Sequence, residues 1–215
     1  MLKLPMDRLK TVLCLGAHAD DVEIGCGGTI LKLLAEHPSL EVHWVVLSAR
    51  GRRAEEAAQA ARLFLGDVDR HHVVLKDFRD SYFPYVGGEI KECMEEIRGR
   101  VSPDLIFTHR RDDLHQDHRL VAELTWCAFR DHLILEYEIP KYDGDLGQPN
   151  VYVPLEEETC GRKIEAIRRS FPSQHEKPWF TDDTYWALLR LRGVECRSPS
   201  KFAEAFYARK ATLKI

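Results

Sequence analysis

The sequence has six cysteines, at positions 14, 26, 93, 127, 160 and 196, but no Cys-x-x-Cys pair. That scatter argues against a thiolate zinc centre or a disulfide framework, both of which need closely or regularly spaced thiols, and points to reduced, mostly buried side chains. No apolar run approaches the ~18 residues of a membrane span. The opening Met-Leu-Lys-Leu-Pro-Met-Asp-Arg has no apolar stretch ahead of a small-residue cleavage site. We therefore expect no membrane span and a cytoplasmic setting. A basic excess is missing as well: 31 Lys and Arg stand against 35 Asp and Glu, a formal net charge of -4. Such a balance gives no long-range attraction for phosphate polymers, so nucleic acid is not an expected partner. Low-complexity segments and internal repeats are absent. The 215 residues, 44% apolar and 31% charged, have the make-up of a globular domain.

Short apolar runs alternate with stretches of helical periodicity. Residues 11–17 read as a strand covered on both faces, 28–36 as a helix stopped by Pro38, and Val42 to Ser48 as a second strand. Arg53 to Leu65 follows as a helix closed by Gly66, then strand His72 to Leu75, helix Glu89 to Val101 and strand Asp104 to Thr108. Helix His118 to Phe129 and strand Leu133 to Ile139 complete the series. The alternation predicts a Rossmann-like, doubly wound α/β fold: a mostly parallel sheet with helices on both faces. After Pro140 the chain becomes turn-rich, with a strand signal at Val151 to Val153 and helical signals near 157–170, 183–192 and 199–210. We expect one α/β domain over 1–215, with a core at 8–140 and a C-terminal extension, 141–215, packed on it.

Two polar clusters stand at the ends of apolar runs, where open α/β sheets present their chemistry. The first is Gly16-Ala-His-Ala-Asp-Asp-Val-Glu23, the second His115-Gln-Asp-His118 within the titratable stretch 109–118. Imidazole and carboxylate suit a divalent cation, and His18 and Asp21 can reach one ion from a single turn. On a helix His115 and His118 share a face. Caps and solvated histidines would explain either cluster alone; two on one sheet edge favour a hydrolytic metal site. Gly25-Cys-Gly-Gly28 invites a nucleotide-binding alternative, but the dinucleotide fingerprint would need Gly where Ile30 stands, so tight helix packing explains these glycines better.

Together the stretch 16–28 and His115-Gln-Asp-His118 resemble the PIG-L/LmbE-like family of zinc-dependent N-deacetylases, over roughly residues 11–135. The resemblance implies His18, Asp21 and His118 as metal ligands for Zn2+, with Fe2+ suiting the same set, and Asp20 as general base. It implies His115 as oxyanion stabiliser with Asp117 holding its ring, and Arg53 and Asp80 as substrate contacts. The implied activity is hydrolysis of the acetamide of an N-acetylamino sugar or N-acetylglucosaminyl conjugate, a small-molecule partner, and a homo-oligomer is compatible with it. Alternatives are a nucleotide- or ion-binding Rossmann-like module and a mononuclear metal-dependent hydrolase of another bond. Two departures stand out. Ala19 occupies the place of the family's usual Pro, and Asp113 that of a Tyr found in mycothiol-type relatives, which argues against a mycothiol precursor as substrate.

Overall fold

The computed structural model describes residues 6, 8–66 and 69–212. Five parallel strands form most of one sheet: β1 (Thr11–His18), β2 (Glu41–Ser48), β3 (His72–Leu75), β4 (Leu105–His109) and β5 (Leu133–Tyr137). Two further strands, β6 (Val151–Leu155) and β7 (Phe202–Ala208), join antiparallel, giving the order β3-β2-β1-β4-β5-β7-β6. The helices are α1 (Asp21–Glu36), α2 (Arg52–Leu65), α3 (Gly87–Arg100), α4 (Gln116–Ala128), α5 (Glu157–Ser170) and α6 (Asp182–Glu195). This is the expected α/β architecture. None of the described helices is long and apolar enough to cross a membrane.

The central strands read as unbroken apolar runs because both faces are covered. Val12, Cys14, Val42, Trp44 and Val46 point into one core with α1, α2 and α5, while Leu13, Leu15, Val45 and Leu47 point into the other with α3 and α4. The strand order reverses direction between β1 and β4. At such a switch point the flanking loops diverge and leave a crevice beyond the carboxyl ends of the strands.

Two expectations need correction. The first helix begins at Asp21, not near Gly28, and its glycines lie inside it. A Cβ at Gly25 would collide with the Tyr137 ring, at Gly27 with Phe64, and at Gly28 with Leu155 and Glu204. Close packing, not phosphate binding, thus accounts for these glycines.

The second correction concerns residues 199–210, expected to be helical but forming β7. Ala, Glu and Lys gave the segment a helical look, and tertiary pairing overrides that weak local preference. β7 fills the gap between β5 and β6. Its buried Glu204 accepts the backbone N–H groups of Gly28 and Thr29 and pairs with Lys163 Nζ at 2.6 Å. β6 and β7 therefore extend the sheet beyond β5.

Candidate metal and active site

His18 is the last residue of β1, and Asp21 the first of α1. The turn between them is held by the Asp20 N–H donating to the His18 carbonyl at 3.1 Å and by Asp21 Oδ2 accepting the His18 N–H at 2.6 Å. On the neighbouring strand, β4 ends at His109, and the chain then loops to His115, the N-cap of α4. His118 lies in the first turn of that helix. Hydrogen bonding between β1 and β4 therefore brings the two sequence clusters together.

His18 Nδ1 lies 3.1 Å from His118 Nε2 and 3.4 Å from Asp21 Oδ2, and His118 Nε2 lies 3.5 Å from Asp21 Oδ1. Metal–ligand bonds near 2.0–2.1 Å at tetrahedral angles place ligand atoms about 3.4 Å apart. His18 and His118 thus stand at ligand spacing from each other, and each from a different oxygen of Asp21; the sets with one donor atom apiece within 4.8 Å here include His18, His115 and His118, and Asp21, His109 and His118, either of which could hold a small divalent cation. Electrostatics agree with that spacing. Burial pushes His118 down to about 4, keeping its imidazole neutral with a free lone pair. Burial opposes ionisation of Asp21, yet His118 and His109 hold its carboxyl well below the usual range. For His18, burial is outweighed by the Asp117, Asp21 and Asp80 carboxylates, which raise its pKa.

Further carboxylates orient the rings from behind. Asp113 Oδ2 is 3.0 Å from His118 Nδ1, and Lys141 Nζ is 3.0 Å from the same oxygen. Asp117 Oδ2 is 3.2 Å from His18 Nε2, and Asp80 Oδ1 approaches the same nitrogen at 3.2 Å. Asp117 also accepts the N–H groups of Ser81 and Phe83, at 2.7 and 3.1 Å, fixing the loop that carries Asp80. Ser81 adopts a left-handed φ of 65°, uncommon for a non-glycine residue, where this loop folds over Asp117.

Asp20 is buried, and its pKa is pushed up to about 6 by that burial, with Arg53 opposing and Asp21 adding to the rise. Arg53 reaches Asp20 Oδ2 at 3.1 Å, pairs with Glu56 at 3.1 Å and donates to the Ala19 carbonyl. The residue expected to contact substrate is therefore engaged by Asp20 here. Asp80 stands at the mouth, with 68% of its side chain exposed.

His115 packs against His118 with ring centroids 4.5 Å apart and against His18 at 4.9 Å. The expected pairing of its ring with the Asp117 carboxylate is not found: that carboxylate serves His18 and the 81–83 loop. His115 Nδ1 instead accepts the Asp117 backbone N–H at 3.2 Å, so the neutral ring carries its proton on Nε2 as a donor. Burial and the neighbouring His18 charge lower its pKa.

Sequence reasoning missed two residues. His109 is fully buried, stacks on His118 with centroids 3.9 Å apart, and places Nε2 3.1 Å from Asp21 Oδ2. Its position directly at a strand's carboxyl end, the argument that singled out His18, was the available signal. In the sequence, Asp113 marks only the place where mycothiol-type relatives have Tyr, without a role in the site. It accepts the His115 N–H at 2.8 Å and also holds His118.

Comparison with known proteins gives this arrangement a family. Residues 13–129, which contain both clusters and run from within β1 to just beyond α4, match the PIG-L family, described as GlcNAc-PI de-N-acetylase, and the chain belongs to that family. It is 25% identical over 176 residues to the uncharacterized deacetylase YaiS of Escherichia coli K12, covering 76% of this chain and 91% of that one. It is 33% identical over 109 residues to diacetylchitobiose deacetylase of Thermococcus kodakarensis, 44% of this chain and 39% of the relative. The crystal structure of GalB, the 4-carboxy-2-hydroxymuconate hydratase of Pseudomonas putida, shares the fold, with a TM-score of 0.78 at 19% identity, over 96% of this chain and 99% of that one.

Proposed function

We propose that this protein is a metal-dependent N-deacetylase that hydrolyses the acetamide of an N-acetylamino sugar or a conjugate carrying one, releasing acetate and a free amine. The observation that carries the proposal is the convergence of His18 Nδ1, Asp21 and His118 Nε2 within 3.1 to 3.5 Å, beside a buried carboxyl at Asp20. Fold alone would not choose the reaction, because GalB has the same fold and is a hydratase. Deacetylases among the relatives favour amide hydrolysis.

His18, Asp21 and His118 would hold the cation, with Zn2+ suiting two imidazoles and one carboxylate and Fe2+ accepting the same donors. When bound, such a cation acidifies water and polarises a carbonyl. The remaining chemistry belongs to the protein's side chains. Asp20, with its pKa raised to about 6, accepts a proton from the attacking water as the new C–O bond forms. His115 Nε2–H donates to the acetamide oxygen as negative charge develops there. Asp20 then returns its proton to the departing nitrogen as the C–N bond breaks. Asp80, exposed at the mouth, orients sugar hydroxyls through its carboxylate, and Arg53 tempers the basicity of Asp20 from the other side.

A nucleotide-binding role is disfavoured by the acidic side chains at the start of α1, where Asp20 and Asp21 would repel a pyrophosphate. The test is amine release from N-acetylglucosamine conjugates by protein treated with chelator and then resupplied with Zn2+. Activity that follows the metal supports the proposal. Amine release that ignores chelation, or its absence across the conjugates with metal present, refutes it.

A further inference from the structure

A second group of metal-donor side chains lies at the opposite end of the sheet. Glu41 and His72 are the first residues of β2 and β3, and His43 pairs in register with His72. Because side chains alternate along a strand, Glu41 and His43 project on the same face. Glu41 Oε1 lies 2.8 Å from His43 Nε2 and 3.2 Å from His72 Nε2. One donor atom from each residue lies within 4.8 Å of the other two, and the two imidazoles stack with centroids 4.6 Å apart. Ser48, at the far end of β2, pairs in register with His18. The five residue steps from His43 to Ser48 put about 17 Å between the two clusters, so this group is separate from the site already described.

We propose that Glu41, His43 and His72 form a second divalent transition-metal site, which clamps the edge strand β3 to β2. Two imidazoles and one carboxylate select Zn2+, Ni2+ or Cu2+ over Mg2+ or Ca2+. The site is accessible, with side-chain exposures of 40% for Glu41, 50% for His72 and 16% for His43. Both imidazole Nε2 atoms already face Glu41 Oε1. The clamp also has mechanical sense. β3 has four residues and, among the described residues, pairs with β2 alone, and its Val73 and Val74 remain exposed. A cation joining Glu41 and His43 to His72 would tie that short strand down, and binding only the folded state would raise the melting temperature.

The experiment is equilibrium dialysis of the metal-stripped full chain against Zn2+ alone, with amine release followed in parallel. Wild type should bind two equivalents, and His72→Ala and Glu41→Gln should each bind one while retaining the wild-type rate. Asp21→Asn should also bind one, through the edge-strand cluster. With Cu2+ in place of Zn2+, that variant should show electron paramagnetic resonance splitting from two imidazole nitrogens. A single equivalent in wild type overturns the proposal, as does a second equivalent that survives both His72→Ala and Glu41→Gln. Two equivalents in Asp21→Asn, with one lost on adding His72→Ala, would refute the first site and leave this one standing.

Discussion

Asp113 Oδ2 sits 3.0 Å from Nδ1 of His118, on the side of the ring away from the nitrogen that faces His18. A carboxylate in that position fixes the tautomer: the proton stays on Nδ1, and Nε2 presents its lone pair to the cation site. Such outer partners of a metal-binding histidine commonly contribute 10–100-fold in metal affinity. Asp113→Ala should therefore weaken Zn2+ binding by about that factor, with much of the rate restored at saturating metal. Competition against a chelator checks the affinity, and unchanged affinity would show that the contact is only structural.

Neighbouring Asp20 and Asp21 should separate cleanly. Asp20→Asn should keep its metal and lose about 10²–10⁴-fold in turnover, the usual contribution of a general base. Asp21→Asn should lose the metal itself. Metal analysis beside a rate assay on both variants decides the matter, and the reverse pattern would exchange their roles.

Glu56 joins α2 to the turn after α5. It accepts the Ser173 N–H at 3.0 Å and the Ser173 hydroxyl at 2.6 Å, and it pairs with Arg53. Burial opposes its ionisation, but Ser173 and Arg53 hold its pKa below the ordinary glutamate value. A depressed carboxylate stabilises the fold above its unfolded pKa, about 4.3, and loses that contribution as pH falls through its folded value. Glu56→Gln should thus cost about 1–3 kcal/mol at pH 7, a deficit that shrinks in acid. Urea melts of both proteins from pH 7 to 3 test this, and a deficit independent of pH would mean that the charge is irrelevant.

Lys163 and Glu204 form a buried pair between α5 and β7. Removing one member leaves the other charge unpaired. Lys163→Met should destabilise by about 3–5 kcal/mol, and adding Glu204→Gln should recover part of that loss. Denaturant titration of the single and double variants supplies the answer, and additive losses would contradict it.

Sequence patterns revealed most of this architecture where both faces of an element meet the core. β1, β2 and β4 were legible because burial on two sides demands continuous apolar runs. β7 was not, because its Ala and Glu residues favour a helix locally, and only the gap between β5 and β6 makes it a strand. The start of α1 was obscured by glycines that serve packing against Tyr137 and Phe64. In the candidate site, His18 and Asp21 were legible as metal-donor types just beyond a strand, and His118 from the family resemblance, which agrees with its place at the start of α4. The work of Asp113 and the true partner of Asp117 depend on ring orientation, which spacing does not encode.

At the carboxyl end of the sheet, His18, Asp21 and His118 are proposed to hold one divalent cation jointly. Anomalous diffraction at the zinc edge, from crystals of chelated protein reactivated with one equivalent of Zn2+, tests it most directly. The account predicts a peak within bonding distance of His18 Nδ1, His118 Nε2 and an Asp21 oxygen. An active protein with no density at that point would contradict it.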